Sequence, residues 1–285
     1  QEMPDRYFME GISEANIIGM AAGLAMDGFI PFVVTIATFI TRRCYEQIAV
    51  DLCLHNLPVR LIGIGGGLNY APLGPTHQAI EDITIMRALP NMRVISVCDA
   101  DEMKRLIPET LKCPNPVYIR LAKGFEPIIS KEENGFIIGK AILMRQAKIP
   151  KDHVLLISTG IMTTRALYVA EELSRKGIEC SVLHIHTVKP LDIDAILEQA
   201  RFAKIIVTLE EHSIVGGFGS ACLEVLSDNF KDGNLPPIHR FGLPDKFVDD
   251  YGTQDSLLEQ FRLQPDQLVE DIQNLSQRYF SPKCY

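Results

Sequence analysis

The strongest constraint on the 285-residue sequence is an alternation: short apolar runs rich in β-branched residues are separated by segments whose apolar positions recur with the helical period. A strand followed by a helix returns the chain to the same end of the sheet, so such a chain builds parallel sheets with helices on both faces. The expected fold class is α/β, with two doubly wound domains whose sheets are mainly parallel. In the first half, strands are expected at Phe32–Ile36, Val59–Ile64, Met92–Val97 and Val117–Leu121, with helices at Ser13–Met26, Phe39–His55, Ile80–Leu89 and Asp101–Leu111. Asp99 is placed to cap the last of these, with Glu102 three residues on. Between Lys123 and Asp152 the rhythm breaks at Pro127, Lys131-Glu132-Glu133, Asn134-Gly135 and Pro150, which reads as a crossover between domains. The second half offers strands at Val154–Ser158, Cys180–Ile185, Ile205–Leu209 and Ile238–Phe241, and helices at Met162–Lys176, Ile193–Ala200, Ser220–Asn229 and Leu257–Arg262.

Charge narrows the function classes. With 28 basic against 36 acidic residues the net charge is -8, and no basic stretch could release phosphate counterions, so neither nucleic acid nor an anionic membrane is an expected partner. The longest apolar stretch, Phe29–Ile40, contains Pro31 and falls short of the roughly 20 residues that span a bilayer. Seven scattered cysteines form no C-x-x-C pair, which fits reduced thiols in a cytoplasmic protein and gives no structural zinc site. Gln1–Arg6 shows neither an initiator Met nor a signal-peptide pattern, so a start within a longer polypeptide or after disordered residues is expected.

Four segments carry residues that could do chemistry. Glu14 opens a helix of small residues behind Ser13. It suits either a helix-start carboxylate facing the positive dipole end, or a half-buried acid at a subunit interface that Ala21, Ala22, Gly23 and Ala25 allow another helix to approach. Phe39 and Arg42 lie three apart on one helical face, where core packing and a solvated cation are the plain alternatives. The glycine-rich run from Gly63 to Asp82 leaves a strand at the end where open α/β sheets bind ligands. It lacks the last glycine of a dinucleotide fingerprint and is followed by Pro72 and Pro75, which argues against NAD and leaves His77 as a ligand contact or acid/base. Glu210-Glu211-His212 followed by Gly216-Gly217-Phe218-Gly219 suits a tight turn or a phosphate cradle. His184 and His186 alternate on a strand but lack the further ligands zinc requires, so no metal site is expected in this chain.

Taken together, GISEANIIGMAAGLA, TIATFITRRCYEQI, GPTHQAIEDITIMRALPN and LEEHSIVGGFGSA resemble, in order and spacing, the C-terminal half of a transketolase, and most closely the split enzymes in which this half is a separate polypeptide. The resemblance implies a pyrimidine-binding domain over 1–124, a linker over 125–135 and a transketolase C-terminal domain over 136–285. By the same resemblance, Glu14 stands where a glutamate hydrogen-bonds the aminopyrimidine of thiamine diphosphate, and Phe39 where an aromatic ring stacks on it. Ile12 and Ile36 would complete an apolar surround that keeps Glu14 from ionising freely. His77 matches a substrate-facing histidine with a catalytic role, and Arg42 and Lys123 stand where relatives line the substrate channel.

That likeness also sets the limits of the chain. Relatives carry an acidic residue where this sequence has Leu73, a basic one where it has Gly65, and an aromatic one where it has Ile36, so the sugar or sugar-phosphate substrate is expected to differ from the usual donor. The Gly-Asp-Gly…Asn segment that holds Mg²⁺ and the diphosphate does not occur, and Asp232-Gly233-Asn234 reads as a turn. The cofactor is therefore expected to be shared with an N-terminal partner subunit that binds the Mg²⁺, in a heterotetramer transferring a two-carbon ketol unit from a ketose to an aldehyde. The alternatives are half of a related thiamine enzyme, such as a 2-oxo-acid dehydrogenase beta subunit or a deoxyxylulose-phosphate synthase-like protein, or a non-catalytic partner that has kept the fold. The Gly-Pro-Thr-His run favours the transketolase over the dehydrogenase.

Overall fold

A computed structural model describes residues 3–149, 151–230 and 235–280. The expected turn at Asp232-Gly233-Asn234, with Pro150 and Cys284, lies outside them. The first half runs α1 (Glu14–Met26), β1 (Phe32–Ile36), α2 (Ala37–Arg42), α3 (Tyr45–Gln47), a π-helical segment (Ile48–Leu54), β2 (Arg60–Ile64), α4 (Asp82–Ala88), β3 (Arg93–Ser96), α5 (Ala100–Leu111) and β4 (Val117–Leu121). The second runs β5 (Ile142–Arg145), β6 (His153–Ser158), α6 (Met162–Arg175), β7 (Cys180–His184), β8 (Thr187–Lys189), α7 (Ile193–Ala200), β9 (Ala203–Ser213), α8 (Phe218–Asn229), β10 (Ile238–Leu243), α9 (Gln254–Gln260) and α10 (Pro265–Phe280).

Two five-stranded sheets result, in the orders β1-β2-β4-β3-β8 and β10-β9-β6-β7-β5. The pairings among β1 to β4 and among β6, β7, β9 and β10 are parallel, so the α/β class with mainly parallel sheets holds. Each sheet ends in one short antiparallel strand, β8 on β3 and β5 on β7. Neither was expected: at three and four residues they are too short to show a period. β8 comes from the second half yet completes the first sheet, and its Lys189 ammonium donates to the carbonyls of Arg87 and Leu89.

The helices are amphipathic for the reason that the spacing implies. On α6, Met162, Thr163, Ala166, Val169, Ala170 and Leu173 form one buried stripe. The central strand β6 is buried along its whole length, as a strand covered on both faces must be. Truncating Leu156 there to Ala is expected to cost about 2 to 5 kcal/mol. One hydrophobic core passes from Ile18 and Leu61 in the first half to Leu155, Ile206 and Phe218 in the second.

Three local expectations are corrected. The helix expected over Phe39–His55 is broken: Cys44 leaves the helical region at φ -126°, separating α2 from α3 and the π-helical turns. Ser13 precedes α1, but its hydroxyl makes no capping bond. Ala21, Ala22 and Ala25 face inward and are buried, whereas Gly19 and Gly23 look onto open space, so the smooth outer face of α1 is made by the glycines. By contrast, Asp99 caps α5 as expected, its Oδ1 accepting the Glu102 N–H at 2.8 Å.

Candidate active site

Parallel strands bring their carboxyl ends to one edge, and in the first sheet that edge carries most of the residues singled out above. Ile36, Ile64 and Leu121 end β1, β2 and β4 side by side in register. Phe39 follows β1 in α2, the glycine-rich loop follows β2, and Lys123 follows β4.

Glu14, Phe39 and His77 are brought together through a residue that the sequence pattern does not single out. The Arg43 guanidinium lies 4.1 Å from the Phe39 ring centre, and its Nη1 donates to both Glu14 oxygens at 3.3 Å. The His77 ring meets the Phe39 ring edge-on at 5.1 Å, with Thr76 Oγ1 2.9 Å from its Nδ1. Phe39 is half-buried rather than part of the core, and the Glu14 side chain is only 11% exposed. A planar group carrying N–H donors therefore already stacks on Phe39 and bonds Glu14. The same two side chains suit an aminopyrimidine, which is also planar and presents a donor at its edge.

The remaining candidates divide. Ile36 ends β1, half-buried, beside this cluster. Ile12 is 90% exposed and gives Glu14 no apolar cover within the chain, because the segment before α1 leaves Tyr7, Phe8 and Met9 exposed as well. Arg42 turns away: it grips the Glu81 carboxylate with two nitrogens and donates to the Gln78 carbonyl at 3.0 Å. These bonds hold the segment that follows His77. Lys123 is exposed, its ammonium 5.6 Å from the centre of the Tyr70 ring.

The glycine-rich loop owes its shape to buried charge. Arg120 on β4 donates to Asp82 at 2.9 Å and to the carbonyls of Ala79 and Glu211, tying both halves of the molecule to the loop's far end. A side chain at Gly67, where φ is +71°, would collide with the Glu211 carboxylate. At Gly74 it would meet Tyr251, so the second domain packs on the loop at two points. Burial raises the Glu211 carboxyl against the opposing hydrogen bonds from Gln254 and the Leu68 N–H.

The Glu210-Glu211-His212 motif is resolved by the same logic. The Glu210 carboxylate accepts the N–H groups of Phe218 and Gly219 at 2.6 and 2.9 Å, so the start of α8 is filled by the chain's own carboxylate and no phosphate cradle is free there. Burial pushes Glu210 up to about 7, the two backbone bonds opposing it. His212 donates from Nδ1 to the Ser213 carbonyl and accepts at Nε2 from the Thr84 N–H, the arrangement of a neutral ring, and burial lowers its pKa accordingly. His184 bonds Glu102 at 3.0 Å across the two halves, and the ring of His186 stacks on Phe136. Burial, the largest influence, opposes ionisation of Glu102, but His184, His186 and the Cys98 N–H together outweigh it and hold the carboxyl down at about 2.

A polar hollow of about 610 Å³, between Tyr168, Asp255 and Asp266 on the second domain, contains none of these residues. The residues missed from sequence alone are Arg43, Tyr70 and Tyr251, and Glu211, marked only as part of a turn or phosphate cradle, proves to be a tie between the domains. Arg43 and Tyr70 lie inside motifs already marked, but only three-dimensional contact distinguishes them from their neighbours.

Residues 1–125 match the family profile described as transketolase, pyrimidine binding domain, and residues 145–268 that described as transketolase, C-terminal domain. A 6-deoxy-6-sulfo-D-fructose transketolase subunit of Clostridium sp. (strain MSTE9) is 37% identical over 278 residues, covering 98% of this chain and 84% of that protein. A subunit of the apulose-4-phosphate transketolase of Phocaeicola vulgatus is 33% identical, covering 87% of this chain and 77% of that one. A 1-deoxy-D-xylulose-5-phosphate synthase of Gloeothece citriformis is 35% identical, but the chain spans 42% of it. Among solved structures, a split-gene transketolase described as an inactive beta4 tetramer superposes with a TM-score of 0.85 at 35% identity, over 95% of this chain and 84% of that one.

Proposed function

The chain belongs to the transketolase family, and from that premise we propose that it is the C-terminal subunit of a split, thiamine-diphosphate-dependent transketolase, moving a two-carbon ketol unit from a ketose to an aldehyde. The observation that carries the reading is the Glu14–Arg43–Phe39 cradle, with the His77 ring against Phe39. Near-full-length likeness to proteins named as subunits favours it over a synthase half, since the chain spans less than half of the synthase.

In this reading residues 1–124 form the pyrimidine-binding domain, 125–135 the linker and 136–285 the C-terminal domain. Phe39 gives the aminopyrimidine a stacking face. Glu14 holds or returns a proton at the ring nitrogen it faces, which favours the tautomer that starts catalysis. The bound cofactor supplies a carbanion sink that neither Glu14 nor His77 could provide. His77 hydrogen-bonds the substrate's reacting hydroxyl or carbonyl, and Lys123 lines the channel.

An N-terminal subunit carrying the Mg²⁺ and diphosphate ligands completes the site. Support comes from the apolar residues left open beside Glu14: Tyr7, Phe8, Met9 and Ile12 are 58 to 90% exposed, an unusual density for a surface facing water. Two such heterodimers pair into a heterotetramer in this reading, which the likeness to a split-gene transketolase described as a beta4 tetramer supports. Among the described residues no helix is long and apolar enough to cross a membrane. The six described cysteines are free and buried, which suits the reducing cytoplasm in which we place the enzyme.

Calorimetry with Mg²⁺ tests the division of labour. The chain alone should bind thiamine diphosphate weakly or not at all, and the pair with its N-terminal subunit should bind it tightly. Micromolar affinity for the isolated chain would overturn the split-site reading.

A further inference from the structure

His184 ends β7 and His186 lies two residues beyond it, and the sequence around them holds no further ligand. The fold supplies two from the other half of the molecule. Cys98 follows β3, Glu102 stands on the first turn of α5, and both meet His184 where the ends of β3 and β7 come together. The Cys98 Sγ, a Glu102 carboxylate oxygen and a His184 ring nitrogen lie within 4.8 Å of one another. All three side chains are fully buried, and Glu102 and His184 are 82 residues apart in the chain.

The cluster is held in place from outside. The Cys98 N–H donates to Glu102 Oε2 at 2.7 Å, and Thr163 Oγ1 lies 2.7 Å from His184 Nδ1, so Nε2 is the nitrogen turned to the carboxylate, 3.0 Å from its Oε1. Partners of this kind fix the orientation of a ligating histidine. The His186 ring stands beside that of His184, centres 5.8 Å apart, and its buried Nε2 has no hydrogen-bond partner among the described residues. The neighbouring acid, Asp99, is already occupied by the N–H groups of Glu102, Ile129 and Ser130. Arg105, which approaches His186, is paired with Asp101.

We propose that Cys98, Glu102 and His184 form a structural zinc site that staples the two halves of the molecule, with His186 beside them to complete its coordination. The donor set selects the metal: a thiolate with imidazole suits Zn²⁺, whereas Mg²⁺ and Ca²⁺ take oxygen ligands. Charge also balances. The thiol proton leaves to solvent on binding, so a thiolate and a carboxylate meet the two charges of the ion and the buried cluster carries no net charge. Cys98 and Glu102 come from the first half and His184 from the second, while Asp99, next to Cys98, holds Ile129 and Ser130 of the segment between them. One ion therefore fixes three parts of the chain at a single point. None of these residues belongs to the Glu14–Phe39–His77 cluster, so the inference stands apart from the cofactor reading.

The test uses the full chain, produced with Zn²⁺ supplied and then dialysed into buffer containing Mg²⁺ but no zinc. Elemental analysis should find about one zinc per chain, because a site completed by folding holds its ion tightly. Zinc K-edge absorption should show a single sulfur at about 2.3 Å, with nitrogen or oxygen at about 2.0 to 2.2 Å. Cys98→Ser and His184→Gln should each lower the retained zinc by about tenfold or more, a loss at least as large as that for an outer partner of a metal ligand. Cys113→Ser, which changes a buried cysteine outside the cluster, should keep both the zinc and its sulfur. Thermal melts check that the variants fold, and where a ligand variant does not, the absorption spectrum of the wild-type chain decides alone. A folded wild-type chain that retains less than about one zinc per ten chains, a metal shell without sulfur, or a folded Cys98→Ser variant that keeps its zinc would overturn the proposal.

Discussion

The buried carboxylate of Glu211, on β9 of the second domain, accepts the Leu68 N–H of the glycine-rich loop at 2.6 Å. Its two oxygens also receive the Gln254 amide at 2.9 and 2.8 Å, so one acid joins the loop before His77 to the second domain. Glu211→Gln keeps an acceptor for Leu68 and should retain most turnover. Glu211→Ala leaves a buried N–H unpaired, at about 1 to 3 kcal/mol in stability, and loosens the loop. Melting curves beside kinetics on the assembled enzyme check this. A lowered melting point with unchanged kcat/KM would reduce Glu211 to a purely structural role.

Two buried carboxyls give stability opposite dependences on pH. Glu102 is held at about 2, below its ordinary value of about 4.5. Its contribution is present above pH 4.5 and is lost as pH falls towards 2. Glu210 is raised to about 7, so the folded state keeps a proton that the unfolded chain has released above pH 4.5, and stability falls as pH rises from about 4.5 through 7. Glu210→Gln, which cannot ionise, should flatten the fall between about pH 5 and 7.5 in denaturant titrations. An unchanged slope would show that Glu210 is ionised in the fold throughout that range.

The parallel sheets and most helices were legible because burial on one stripe or on both strand faces imposes a pattern within a dozen residues. β5, β8 and the break at Cys44 were not, because three or four residues carry no period and a helix interruption leaves the apolar spacing intact. α10 was missed although Leu268, Val269, Ile272 and Ser276 form a buried stripe behind Pro265. At the site, Glu14, Phe39 and His77 were marked by the likeness of their motifs to the transketolase family, while the residues taken alone left a helix start, core packing and a ligand contact open. Ile12 is exposed in the chain alone, because nearness in sequence to Glu14 does not set which way the segment before a helix faces. Tyr70 and Glu211 act through partners at a distance in the chain, and one sequence contains no record of those pairings.

Glu14 and Arg43 make a paired prediction. Glu14→Gln should leave assembly and melting nearly unchanged and lower turnover by roughly 10² to 10⁴, because it removes the group that shares a proton with the pyrimidine. Arg43 occupies the same ring face and carboxylate that the cofactor would use, at 4.1 and 3.3 Å. A partly exposed ion pair and a cation–π contact are together worth about 1 kcal/mol. Arg43→Met should therefore tighten thiamine diphosphate binding to the assembled enzyme by up to about tenfold. Weaker binding would mean that Arg43 swings onto the cofactor instead of competing with it.

Arg42 separates channel lining from loop support. As a channel cation it would bind the substrate's anionic end, and Arg42→Ala would penalise charged donors far more than neutral ones. The structure gives its guanidinium to Glu81 and to the Gln78 carbonyl, and hydrogen bonding to Glu81 raises its pKa further, so little donor capacity faces the channel. The segment it holds begins directly after His77, and Glu81 precedes α4. Arg42→Ala should thus lower kcat by a similar factor for 6-deoxy-6-sulfofructose, fructose 6-phosphate and hydroxypyruvate, as the histidine loses its support. Arg42→Lys should rescue it poorly, since one ammonium cannot grip two carboxylate oxygens in the plane of the original fork. Steady-state kinetics with the three donors decide the matter: a defect confined to the charged ketoses would return Arg42 to the substrate channel.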